Sequence, residues 1–206
     1  MIDSVATCAL MIVGWRPLRC AMASYLGIDS SLTGTGLCLV TSIGSVARLT
    51  TIETGALRGA PRLLEIKRVA DLFIPADTIF AAIEGYAYHE VGRVFELGEV
   101  GGVLRLLVHE RNISYVEVPP ASLKKFATGS SGASKEHMIE AAQSAGASPA
   151  DDNQADAFFL ARVAIAFHAN GKGLKHRREV EVVHNLLHPR TKKTRRRPRR
   201  LVPNAL

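Results

Sequence analysis

Three segments of this chain each end or begin in a carboxylate. Asp29 closes the apolar run Ser24-Tyr25-Leu26-Gly27-Ile28, and the small, hydroxyl-rich turn Ser30-Ser31-Leu32-Thr33-Gly34-Thr35-Gly36 follows it. A turn of that composition lets backbone come close to a phosphate or a metal-bound ligand. Glu84 closes a second apolar run, Ile79-Phe80-Ala81-Ala82-Ile83, and Asp151, Asp152 and Asp156 cluster where a late apolar segment begins. Oxygen donors delivered from three separate segments are what a site for divalent cations needs. Each motif also has a plain reading. Asp29 alone is an ordinary turn acid, and Asp151 and Asp152 are acids of a first helical turn, where the helix dipole favours them. Glu84 resists that reading, because an acid at the end of an apolar run is partly buried and needs a partner. Asp156 lies a turn further in, where the dipole accounts for it less well. Only the joint pattern outweighs the plain readings.

The elements that must position these acids follow from periodicity and breakers. Apolar runs at 24–29, 36–42 and 46–53 have the spacing of an antiparallel meander. Pro61 opens a helical pattern carried by Leu63, Ile66, Val69, Ala70 and Phe73 up to Pro75. Residues 78–84 read as a buried central strand, 89–110 as a long helix, and 113–118 as a fifth strand stopped by Pro119-Pro120. The long helix holds Gly98, Gly101 and Gly102. Each interior glycine costs ~1 kcal/mol relative to alanine, so a close contact with the sheet or a second subunit is expected there. A short helix at 121–127 carries Lys124 and Lys125, Ser134 caps another, and a last helix runs from about Asp152 to Asn170 with Gly171 as its stop. The order β-β-β-α-β-α-β-α-α-α predicts an α/β fold: a mixed five-stranded sheet with helices on both faces.

The chain has 206 residues, 47% of them hydrophobic, enough for one core. Residues 171–206 carry 12 Lys or Arg against 2 Glu, a net of +10, while the whole chain is +7, which leaves −3 for residues 1–170. A basic tail on an acid-bearing body fits a phosphate-rich partner, against the plainer reading of a solvated terminus. Val180 to Leu187 has the pattern of a marginal helix, and residues 190–200 read as disordered. Cys8, Cys20 and Cys38 show no paired spacing, so the expectation is a reducing, cytoplasmic setting without disulfides. The apolar stretch before Trp15 is too short to span a membrane. Met22 directly precedes the first strand, so residues 1–21 are expected to be an extension without a fold role, residues 22–170 the catalytic domain and residues 171–206 a tail.

From about residue 24 to 170 the chain resembles the RuvC-type Holliday junction resolvases of the ribonuclease H-like superfamily. The likeness rests on Gly27-Ile28-Asp29, on Ile83-Glu84-Gly85, on the Asp-rich opening of the last helix, and on Leu123-Lys124-Lys125-Phe126-Ala127-Thr128-Gly129 followed by Gly132-Ala133-Ser134-Lys135. The resemblance implies a crossover junction endodeoxyribonuclease acting on branched DNA. It implies Asp29, Glu84, Asp152 and Asp156 as metal ligands, with Lys124, Lys125 and Lys135 near DNA phosphates and Lys135 close to the cleaved one. Family members commonly space the last two acids three residues apart. Here that frame gives Asn153 and Asp156, while Asp152 precedes Asp156 by four. Both spacings fall on one helix face, so Asp152 and Asn153 both stay candidates and Asp151 is the expected N-cap. The family's aromatic after the glutamate falls on Ala87, flanked by Tyr86 and Tyr88; each tyrosine is either a base-stacking face or ordinary core.

Phosphodiester hydrolysis needs an activated water and a stabilised leaving oxygen, which two Mg²⁺ ions about 4 Å apart supply, with Mn²⁺ as a substitute. In that arrangement Asp29 bridges the ions, Glu84 holds one, and Asp152 and Asp156 hold the other. A four-way junction has two-fold symmetry, so a homodimer is the matching assembly. Two other readings stand beside the nuclease. An actin-like ATPase or sugar kinase shares the Gly-Ile-Asp loop, but needs a longer chain. A non-catalytic nucleic-acid binder should lack some of the acids.

Overall fold

The computed structural model describes residues 23–85 and 93–189. The N-terminal extension, Tyr86 and Tyr88, and the arginine-rich run 190–200 lie outside those residues. Five strands and six helices follow one another: β1 (Ser24–Asp29), β2 (Thr35–Thr41), β3 (Val46–Ile52), α1 (Gly59–Phe73), β4 (Thr78–Glu84), α2 (Val94–Glu110), β5 (Ser114–Val118), α3 (Pro120–Thr128), α4 (Lys135–Ser144), α5 (Asp152–His168) and α6 (Arg177–Leu187). The sheet order is β3-β2-β1-β4-β5. β1, β2 and β3 form the antiparallel meander, and β4 and β5 join parallel to β1 and to each other. This is the mixed five-stranded, ribonuclease H-like sheet that the sequence predicts.

Strand alternation divides the core into two layers. Leu26, Ile28, Leu37, Leu39, Ala81 and Ile83 face Ile66, Ala70, Phe73, Val100, Leu104 and Leu107 of α1 and α2. Tyr25, Cys38, Val40, Phe80 and Ala82 face the other way, toward α5 and the helices packed around it. Asp29 and Glu84 keep the parity of Tyr25 and Phe80, so both lie on the α5 side. The parallel register Ile28 to Ile83 sets the two acids side by side at the strand ends.

Helix α5 lies closer to the sheet than side chains on the strands would ordinarily allow. A Cβ at Gly27 would stand 1.9 Å from Ala157 O, and one at Gly36 would stand 2.2 Å from Asn153 O. In α2, a Cβ at Gly98 or Gly102 meets no heavy atom within 4 Å, while Gly101 is buried. A close approach of helix backbone is thus found at β1 and β2, where α5 lies flat on two strands, while Gly98 and Gly102 leave open space on α2.

The folded body also runs past the boundary expected at residue 171. Gly171, with φ +74°, ends the α5 turn as anticipated. The chain then returns in α6, which packs on α3 and α5. Val182 and Val183 are buried in the core beside α5, because the apolar side of α6 finds a surface there. Among the described residues no helix is long and apolar enough to cross a membrane.

Gly27→Ala is expected to destabilise the fold by at least about 3 kcal/mol, the upper end for overpacked cores, because the clash is with helix backbone. Gly132→Ala, where a Cβ meets nothing within 4 Å, should stay within about 0.5 kcal/mol. Thermal unfolding of the two variants compares them directly, and equal midpoints would contradict the close packing.

Candidate active site

The N-terminus of α5 is fixed before it presents any acid. Asp151 is the N-cap: its Oδ1 accepts from Gln154 N at 2.8 Å, and Gln154 Oε1 accepts from Ala150 N at 3.0 Å. The second oxygen of Asp151 accepts from Thr51 Oγ1 of β3 at 2.6 Å. Asp151 thus has the capping role expected of it. With the helix end tied to the edge of the meander, Asp152, Asn153 and Asp156 reach back over β1 and β4.

They meet Asp29 and Glu84 in one cavity of about 460 Å³, which Lys124, Lys135 and Arg93 also line. Asp29 is buried. Its carboxyl is held well above the ordinary range, first by burial, then by the charge of Glu84 and a hydrogen bond shared with it, then by Asp156 and Asp152. Asp156 is pushed up to about 7, again by burial first and then by Glu84 and Asp152, against the opposing pull of Lys124 and Lys135. Its Oδ1 is buried with no hydrogen-bond partner among the described residues. Oriented with its nitrogen toward the acceptors, the Asn153 amide donates to Asp29 Oδ2 at 3.1 Å and to Gly34 O at 3.2 Å. Lys135 Nζ forms an ion pair with Asp152 Oδ2. That contact, more than the other acids, raises the lysine's affinity for its proton. From α2, Arg105 Nη2 reaches Glu84 O at 3.4 Å while Nε binds Glu117 at 2.6 Å, which ties the end of β4 to the neighbouring helix and strand.

The four acids predicted from sequence are therefore together, with Lys124 and Lys135 beside them. Asn153, weighed against Asp152 as a ligand, instead lies against Asp29 as a hydrogen-bond donor. Lys125 faces α6 instead. It does not line the cavity, and its Nζ pairs with Glu181 of α6 at 2.7 Å. One position along a helix turns a side chain by about 100°, so adjacent lysines cannot both face the acids. Tyr86 and Tyr88 lie outside the described residues. Sequence reasoning does not find Arg93, whose one signal is that it is the first arginine after Glu84.

The donors suit a hard divalent cation: carboxylate oxygens, one of them orphaned and buried, and two acids whose hold on their protons is raised by burial first and then by neighbouring acids. Among the described residues no three acids, histidines or cysteines already close around one point. Asp152 is drawn to Lys135 instead, and a cation entering among the acids would compete with that lysine.

Residues 25–166 match the family model described as crossover junction endodeoxyribonuclease RuvC. The chain belongs to the RuvC family. A curated member from Treponema denticola, named crossover junction endodeoxyribonuclease RuvC, is 28% identical over 127 residues, covering 56% of this chain and 68% of that protein. Two solved structures share the fold. The Thermus thermophilus RuvC structure aligns with a TM-score of 0.57 at 20% identity, covering 72% of this chain and 97% of the other. The T. thermophilus RuvC in complex with a Holliday junction substrate gives 0.58 at 19% identity, covering 68% and 90%. The matched residues of the RuvC domain contain all four acids and both cavity lysines; α6 begins beyond them.

The elevated acids have a consequence for stability. An unfolded Asp releases its proton near about 3.9, whereas folded, metal-free Asp156 holds it to about 7. The folded chain therefore binds more protons between those values. The stability that this provides is complete below about pH 4 and is lost as pH rises through about 7. In chelator, Asp156→Asn is expected to stabilise the protein at pH 8 by up to a few kcal/mol, at about 1.4 kcal/mol per pKa unit, and to change little at pH 4. Urea unfolding at the two pH values measures the difference, and a variant less stable than wild type at pH 8 would contradict the repulsion.

Proposed function

We propose that the chain resolves four-way DNA junctions by metal-dependent hydrolysis of one phosphodiester per active site. The observation that carries this reading is the convergence of Asp29, Glu84, Asp152 and Asp156 in one cavity with Lys124 and Lys135, in a chain of the RuvC family. Asp29, Glu84 and Asp156 would hold the metal, joined by Asp152 once Lys135 releases it. We take the cofactor to be two Mg²⁺ ions, with Mn²⁺ as a substitute. When bound, such ions supply an activated water and offset charge on the leaving oxygen.

The protein's own groups do the rest. Asn153 holds one oxygen of Asp29, so the central ligand is oriented before substrate arrives. Lys135, freed from Asp152, carries a full positive charge to the phosphate, where charge accumulates in the transition state. Lys124 adds a second cation at the wall of the same cavity.

Asp29→Asn is expected to abolish junction cleavage, by at least about 10³-fold, while leaving junction binding within a few-fold of wild type. EDTA should do the same to the wild type. Asp152→Asn should cost far more activity than Asn153→Ala, and Asp156→Asn should be severe. Full cleavage by Asp29→Asn, or in EDTA, would end the reading, and the reverse ranking at 152 and 153 would make Asn153 the ligand.

We infer that two copies act together across the two-fold axis of the junction. The outer face of α2 supports this. Phe95 is 90% exposed and Leu106 52%, on a stripe that also holds Gly102, where there is open space beyond the Cα. An exposed phenylalanine beside a glycine gap suits self-complementary packing. Sedimentation should give twice the 22.2 kDa of the chain, and Phe95→Asp should shift the protein to monomer and uncouple the two cuts. A wild-type monomer, free and on the junction, would exclude this assembly.

A further inference from the structure

A second cavity opens beside the acid cavity and shares Leu32, Thr33 and Arg93 with it. Its volume is about 160 Å³, well below the roughly 300–1,000 Å³ of small-molecule sites. Its charged lining is three guanidinium groups, Arg58, Arg62 and Arg93, against one carboxylate, Glu53.

Two of these arginines are held in place from behind. Only 4% of the Arg62 side chain is exposed. Its Nε donates to Leu57 O at 3.0 Å and its Nη1 to Glu96 Oε2 at 3.0 Å. Its Nη2 has no hydrogen-bond partner among the described residues. Arg58 Nη1 donates to Gly55 O at 3.0 Å and to Leu57 O at 2.7 Å, so the same loop carbonyls order a second guanidinium. Desolvating an arginine is costly. Here the charge is offset by a partner, Glu96, whose side chain is itself 49% exposed. The result is a small, pre-ordered, net positive recess at the edge of the cavity where the four carboxylates gather.

We propose that this recess seats a backbone phosphate of the DNA strand flanking the phosphate that is cut. The proposal rests on the nuclease reading and adds where the strand runs: from the acids, past the turn at Leu32 and Thr33, to the arginines. Guanidinium forks match phosphate oxygens in pairs, and such contacts fix register without reading sequence. In the metal-free acid cavity the four carboxylates offset Lys124, Lys135 and Arg93, so that cavity adds little attraction for a polyanion. An arginine recess beside it anchors the strand before any metal is bound, so junction binding survives in EDTA. Glu53 keeps the recess from saturating with free anions and leaves a net charge suited to one diester.

The test uses the full chain and four-way junctions in EDTA over a salt series. Single neutral methylphosphonate linkages are placed at successive positions on either side of the cut. With wild type, one flanking position should weaken binding about tenfold, as expected when a clamped phosphate loses its charge. In Arg58→Gln/Arg93→Gln, both exposed positions, that same linkage should have no further effect. The slope of log K against log salt should fall by about 0.9 for each phosphate that the variant no longer neutralises. Arg62→Lys keeps the charge but not the fork, and should lose the positional effect while retaining most of the slope. Unfolding midpoints confirm that the variants fold. A double variant with an unchanged slope and an unchanged methylphosphonate profile overturns the subsite. A wild type that binds junctions with this profile but does not cut them in Mg²⁺ overturns the nuclease reading instead.

Discussion

The seating of α5 directly on β1 and β2 is the constraint on which the rest of the structure depends. At Gly27 and Gly36 the helix backbone occupies space that any other residue would fill with its Cβ. Those two glycines lie on the same face of the sheet as Asp29, and Gly36 is the β2 partner of Asp29 in the antiparallel register. The helix therefore enters beside the carboxylate, with Asn153 against Gly36 and Asp156 one turn further along. Raising α5 by the width of a methyl group would separate the acids of the helix from those of the strands. A nearly all-apolar helix with alanines at 155, 157, 161 and 164 permits that contact, since small side chains let backbones approach.

Such packing forces like charges together, and the fold absorbs the repulsion with specific contacts. Asp29 and Glu84 share a hydrogen bond, Asn153 donates to Asp29, and Lys135 neutralises Asp152. Asp156 Oδ1 receives no such help among the described residues. These contacts differ in permanence. Asn153 is wedged beside the glycines and stays. Lys135 is at the exposed start of α4 and can leave, since an ion pair with so accessible a lysine is worth little in water. The site is thus stabilised without metal by a cation that, in the proposed reading, substrate would draw away. That is a compromise between stability and activity of the sort that functional sites show.

Much of this is legible in the sequence. The strand at 78–84, the fifth strand read as 113–118 and found at Ser114–Val118, the Asp151 cap, the Ser134 cap and the four acids follow from apolar runs, prolines and short polar signals that act locally. What is not legible depends on distant partners. The glycines of α2 draw attention because interior helical glycine is costly. Those that matter, Gly27 and Gly36, lie in strands, where their steric role emerges only once α5 is laid over them. Lys124 and Lys125 are equivalent in a line of residues; the helix turns one to the acids and the other to Glu181. Helix α6 is marginal on its own pattern because its valines gain stability only against α3 and α5. Arg58 and Arg62 belong to a loop and a helix start that carry no motif at all.

The distribution of charge explains why local arrangement must do what net charge cannot. Residues 1–170 sum to −3 while residues 171–206 carry +10. At physiological salt, charge is screened over about 8 Å. Net charge of that kind can raise the local concentration of DNA near the protein, but it acts on the acids only over this short range. In the proposed reading, holding a phosphate beside four carboxylates would fall to the cations in the cavity walls: Lys124 and Lys135 in one cavity, Arg58 and Arg62 in the other, and Arg93 in both. They come from α1, α3 and α4 and the loops before α1 and α2, and those elements are ordered by packing around the same sheet that α5 covers. Charge from the tail can increase how often DNA arrives. On the proposed reading, where the strand lies once it has arrived would be decided by the groups lining the two cavities, held by the same packing that the two glycines permit.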